Sequence, residues 1–173
     1  MFPKLENNKS TKKLQVENFI KLTMSKYNFE QTIENDRFIS WIAYWSEFFD
    51  LSLRDIEKSV ALYALIYPNN FAYIFTYFIA LKTKKKNLFD RLMNNHIDAH
   101  TEIKDLLLSR IINQKNPQKN LTFFYEWHNA HCTDFKTIGE TFSTHISEFP
   151  YWGIDEKDLF NYIGNMINFD IEN

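Results

Sequence analysis

Val60-Ala61-Leu62-Tyr63-Ala64-Leu65-Ile66-Tyr67-Pro68-Asn69-Asn70-Phe71-Ala72-Tyr73-Ile74-Phe75-Thr76-Tyr77-Phe78-Ile79-Ala80-Leu81 is the stretch on which the fold turns. It is almost wholly apolar and has about the length of a membrane span, roughly 20 residues. Pro68, Asn69 and Asn70 break it in the middle. Proline lacks a backbone donor and asparagine favours turns, so the stretch divides into two helices, each too short to cross a bilayer. The reading is a buried helical hairpin at the centre of the core, with a membrane element as the weaker alternative.

Just upstream stands the clearest helix start in the chain. With Ser52 as N-cap, Asp55 falls at N3 as in a capping box, and Leu51 and Ile56 take the two positions of a hydrophobic staple. Ile56, Val60, Tyr63, Ala64 and Tyr67 then recur at three- and four-residue steps along one face, and Pro68 closes the segment. Phe71 to Leu81 is apolar nearly all round, which predicts a helix buried on most sides.

Moving outward, Leu14, Phe19, Ile20 and Leu22 predict a core-facing helix from about Lys12 to Tyr27. A second helix, Ile33 to Phe49, places Ile39, Ile42, Ala43 and Ser46 on one stripe with Phe38, Trp41 and Trp45 beside it. Downstream, Leu88 to Met93 and Ile97 to Ile112 read as helices, the latter with Ile103, Leu106, Leu107 and Ile111 inward and ended by Asn116-Pro117. Leu121, Phe124, Tyr125, His128 and Cys132 mark a helix near residues 119–132. Phe135 to Phe149 is another; Pro150-Tyr151-Trp152-Gly153 is a turn; a last helix starts at Asp155 with Asp158 in a box-like cap.

The expected architecture is therefore all-α, a single compact domain of about eight or nine helices over residues 12–173, with 1–11 as a flexible polar lead-in. Composition agrees: 45% of the 173 residues are hydrophobic and 17% aromatic, while three glycines and four prolines are too few turn residues for a many-stranded β fold. Formal net charge is −2, so no global field draws the chain to nucleic acid or anionic lipid. The lone Cys132 has no disulfide partner within the chain, and no apolar stretch with a cleavage site follows Met1; a reducing cytoplasm is the expected setting.

Chemistry-bearing motifs are sparse. A phosphate-cradling loop needs glycines so that backbone can wrap the phosphates, and Gly139, Gly153 and Gly164 do not form GxxxxGK[ST] or a dinucleotide fingerprint. His96 with His100, and His128 with His131 and Cys132, stand at helical spacing but resemble a metal site only loosely, since zinc needs three or four convergent ligands and no HExxH carboxylate accompanies either group. His128 lies on the apolar stripe and reads as a hydrogen-bonded core histidine. Cys132 beside a histidine suggests a nucleophile, yet no third residue orients the base, and a small buried apolar group is the stronger reading. Lys82, Lys84, Lys85 and Lys86 form a basic run able to touch phosphate, although lysines after a buried helix also complement its dipole and keep a loop wet. Arg54 is the oddity. At N2 a helix dipole repels a cation by about 0.3–1 kcal/mol. An ion pair with Asp50, Asp55 or Glu57 explains it blandly, and an approach to a phosphate on another domain explains it sharply.

Phe48-Phe49-Asp50-Leu51-Ser52-Leu53-Arg54-Asp55-Ile56-Glu57-Lys58, then Ala80-Leu81-Lys82 and Asn87-Leu88-Phe89-Asp90-Arg91-Leu92, resemble the C-terminal helical region of KAP-family P-loop NTPases over roughly residues 45–110. The resemblance implies a lid-like or regulatory domain that follows an upstream NTPase core. That core, with its ATP and Mg²⁺, is not in this sequence, and Arg54 is the position that would approach nucleotide in trans. The function expected is thus a non-catalytic helical domain contacting an upstream NTPase domain or a protein partner, with no cofactor, metal or membrane span of its own. The alternative is a helical nucleic-acid-binding module using Lys82, Lys84, Lys85 and Lys86. A metal-dependent enzyme built on the two histidine groups is a third reading.

Overall fold

The structure is a computed structural model of the chain and describes residues 6–29, 32–66, 72–113, 119–133 and 167. Seven helices lie among them: α1 (Glu6–Ser25), α2 (Ile33–Phe49), α3 (Leu53–Ile66), α4 (Ala72–Lys84), α5 (Lys86–Met93), α6 (Ile97–Ile112) and α7 (Lys119–Cys132). The protein is all-helical, with no strand among the described residues. No described helix is long and apolar enough to cross a membrane. The turn at Pro68–Asn70, the break at Asn116–Pro117, the helices expected at 135–149 and from 155, the turn at 150–153 and all three glycines lie outside the described residues.

The chain divides into two compact units, Met1–Asn87 with Ile163–Asn173, and Leu88–Tyr162. In the first, α4 packs against α2 and α3, and α1 packs against α2 and α3. The expectation that α4 is the centre of the core holds: every residue from Ile74 to Leu81 is buried. A helix apolar on all sides has no solvent face, so it satisfies its surface only by being surrounded. Trp45, fully buried, anchors the α2 side of this core, with its ring 5.0 Å from Tyr77 of α4 and 5.4 Å and 5.8 Å from Phe48 and Phe49. Tyr63 of α3 stacks on Phe38 of α2 at 3.8 Å and 9°, and its hydroxyl donates to Asn35 Oδ1 at 3.2 Å. Edge-to-face pairs such as Trp45 with Phe48 and with Tyr77 add about 0.5–1.5 kcal/mol to the burial of their area.

Two features depart from the sequence reading. α1 begins at Glu6, inside the polar lead-in, because once a turn is nucleated each further residue adds a hydrogen bond without needing an apolar partner. Its buried face is also rotated: Ile20, Thr23 and Met24 are inside, whereas Leu14 and Leu22 are 57% and 65% exposed. Leu22 lies two residues from Ile20, about 200° around the helix, so both cannot face one core.

Helix ends are closed without glycine. Asp50 at the end of α2 has φ 53°, and the N–H groups of Asp50 and Leu51 both donate to the Ser46 carbonyl. Asn95 after α5 has φ 57°; its N–H donates to Leu92 O and that of His96 to Arg91 O, the paired bonds of a Schellman turn. Asn28, past α1, has φ 54°. Short polar side chains tolerate the left-handed region better than other non-glycine residues, which is why Asp and Asn occupy these positions.

In the second unit α6 packs against α7. α6 buries Ala99, His100, Ile103 and Leu107, and α7 buries Leu121, Phe123, Phe124, Trp127, His128 and Ala130. Arg91 of α5 forks to Asp98 at 2.8 Å and Glu102 at 3.0 Å, tying α5 to the first two turns of α6.

Candidate functional site

At the start of α3 the capping box is complete. The Ser52 N–H donates to Asp55 Oδ2 at 2.9 Å, the Asp55 N–H donates to Ser52 Oγ at 3.2 Å, and the Ser52 hydroxyl donates to the same carboxylate at 2.8 Å. Partial burial acts to raise the Asp55 carboxyl, but the two Ser52 bonds and the Lys84 and Lys58 ammonium groups together hold it below its usual 3.8. Lys84, from the last turn of α4, reaches across to donate to the Asp50 carbonyl at 2.7 Å. The α2–α3 junction is thus fixed by a cap from within and a lysine from α4.

On this junction Arg54 is exposed and makes no ion pair among the described residues, so the bland account of it is corrected. Its expected partners are engaged elsewhere: Asp55 by Ser52, and Glu57 by Lys26, just past the end of α1, at 3.6 Å. Leu53 beside it is 57% exposed. A rigid helix start therefore presents one guanidinium and one apolar side chain to solvent.

The basic run does not form one surface. Lys82 is buried, 8% exposed, and donates from Nζ to the Ile167 carbonyl at 2.7 Å; the expectation that it is solvated is corrected. Its ammonium meets a main-chain acceptor 85 residues away, which no local pattern reveals. With Lys84 held on Asp50, Lys85 and Lys86 remain exposed as the outward part of the run. A recess of about 80 Å³ lies nearby between Lys12 and Lys13 of α1 and Ser46, Glu47 and Asp50 at the end of α2. It has room for only a few waters, and its mixed charges select no ligand sign.

The histidines regroup. His96 is exposed at the N-cap of α6, with Nδ1 3.8 Å from Asp98, and does not join His100. His100 instead meets the α7 group: its Nδ1 is 3.0 Å from His128 Nδ1, and its ring stacks on His131 at 4.0 Å and 19°. Burial lowers His100 to about 4, and burial followed by repulsion from His100 and His131 places His128 well below its usual 6.5. His128 is the hydrogen-bonded core histidine expected of its stripe. Cys132 is half-buried, with Sγ 3.5 Å from Thr101 Oγ1. Among the described residues no three His, Cys, Asp or Glu converge as a metal site requires.

No family model matches the chain, and no curated protein and no solved structure matches it significantly.

Proposed function

We propose that this chain is a non-catalytic, lid-like or regulatory helical domain that acts through the start of α3 on a P-loop NTPase core of the KAP type. The observation that carries the reading is Arg54: an exposed guanidinium without an ion pair among the described residues, beside an exposed Leu53, on a helix start locked by the Ser52–Asp55 box and by Lys84. A cation at N2 is unfavourable to its own helix, and an anion supplied by a partner would reverse that term. The fixed helix start spares a partner the ordering of backbone, leaving about 0.5–1.5 kcal/mol for ordering the arginine side chain itself. The Phe48 to Lys58 and Asn87 to Leu92 segments supply the resemblance that names the partner class. ATP and Mg²⁺ belong, on this reading, to the core and not to these residues.

Two measurements test it. Calorimetric titration of the purified chain with Mg–ATP is expected to give no micromolar binding; binding with turnover would overturn the reading. A KAP-type core supplied in trans is expected to change its ATPase rate on addition of the chain, and Arg54→Ala is expected to abolish that change while leaving the fold intact. The nucleic-acid alternative is disfavoured by Lys82 and Lys84 being committed to carbonyls within the first unit. Salt-dependent RNA or DNA binding that disappears on neutralising Lys85 and Lys86 would restore it.

A further inference from the structure

The second unit contains a group of titratable side chains that the proposed contact surface does not use. From α6 comes His100; from α7 come His128, His131 and Cys132. His100 and His128 are 1% and 0% exposed, on two packed helices that also bury Ile103, Leu107, Phe124 and Trp127. The acidic groups at the start of α6, Asp98 and Glu102, are held by Arg91 of α5. Glu126 lies two residues before His128, about 200° around α7 from it.

Stereochemistry sets how this pair can hold protons. A bond between two Nδ1 atoms at 3.0 Å needs one ring carrying Nδ1–H and the other a bare Nδ1, which two neutral imidazoles in opposite tautomers provide. One added proton, taken at Nε2 of the donor ring, keeps the bond but places a cation inside the seam, against the stacked ring of His131 where His100 is the donor. A second must occupy the remaining Nδ1, setting two N–H groups head to head. Neither step suits a buried apolar interface, where a cation is strongly disfavoured.

We propose that the α6–α7 seam is an acid-released latch, closed by the neutral His100–His128 pair and opened when the pair takes up protons. Opening would uncover the apolar faces of both helices, including Trp127. The sign follows from the protons bound: the opened seam has histidines near 6.5 and the closed one binds protons only at lower pH, about 4 for His100, so the closed fraction falls as pH drops from about 6.5 and levels below about 4.

Hydrogen exchange on the whole chain at pH 7 and pH 5, corrected for the intrinsic pH dependence of amide exchange, tests this. Protection of α6 and α7 amides is expected to fall on the order of ten-fold between those values, while α2 and α4 amides change far less. An equal change in all four helices, or none in α6 and α7, overturns the proposal. The double variant His100→Gln, His128→Gln keeps amide hydrogen bonding but cannot titrate, and is expected to lose the difference; persistence of the difference in that variant also overturns it. Should the variant fail to fold, nitrogen-15 spectra of the imidazoles in the unaltered chain decide. Opposite tautomers at pH 7 with depressed titration are expected, and two rings titrating near 6.5 would exclude the latch.

Discussion

Ser52 and Asp55 each satisfy a backbone donor that the other leaves open, so the loss from removing one side is the loss of a cap. Ser52→Ala is expected to lower stability by about 1 kcal/mol, read as a shift in the urea midpoint at unchanged slope. Because Asp55 titrates below 3.8 in the fold, its contribution is present above that value and disappears as pH falls through the folded one, so the penalty of Ser52→Ala is expected to shrink in strong acid. Tyr63→Phe removes the hydroxyl bond to Asn35 but keeps the ring on Phe38, and is expected to cost about 1 kcal/mol by the same measurement. Arg54→Ala, which breaks no ion pair among the described residues, is expected to change stability by less than about 0.5 kcal/mol, separating its proposed contact role from a structural one. The cap was legible because N-cap and N3 are three residues apart in one segment. Lys82 was not, because its acceptor is the carbonyl of Ile167.

At the level of the helix, periodicity delivers one face at a time. It located α2 and α6 to the residue, found α7, and placed Ile42, Ile103 and Phe124 inside, since each of these helices has a single recurrent apolar stripe. It failed on α1, where leucines stand on two sides and the spacing alone does not say which side meets α2 and α3. The difference is measurable. Leu14→Lys and Leu22→Lys are expected to stay within about 0.5 kcal/mol of the parent, whereas Ile20→Ala and Met24→Ala are expected to cost about 2–5 kcal/mol in chemical unfolding. The histidine pair escaped the sequence for a related reason. His96 with His100, and His128 with His131, are what spacing within a helix displays, but the partner of His100 depends on which turn of α6 faces which turn of α7. Register between helices is a property of both surfaces together and is written in neither alone.

Across the whole molecule, ionisable groups at opposite ends of the pH scale report on different units. On the acid side, His100 and His128 of the second unit are neutral in the fold and charged once exposed, so stability declines as pH falls below about 6.5. On the alkaline side, Tyr77 of the first unit is fully buried and burial raises its phenol well above 10; its contribution is intact below that value and is lost as pH rises through the folded one. Spectrophotometric titration of the nine tyrosines is expected to show one late, steep component that coincides with loss of helical circular dichroism. Its appearance as an ordinary reversible ionisation, without unfolding, would contradict the burial of Tyr77. A last consequence concerns the denatured ensemble. Ending helices on Asp50 and Asn95, in a chain with three glycines, means that few backbone positions sample the wide range of angles glycine allows. Exchanging either for glycine would ease the left-handed turn in the native state and widen the disordered population by an opposing amount, about 0.4–1 kcal/mol. The sparing use of glycine therefore favours folding from the side of the uncoiled polypeptide, before any contact is made.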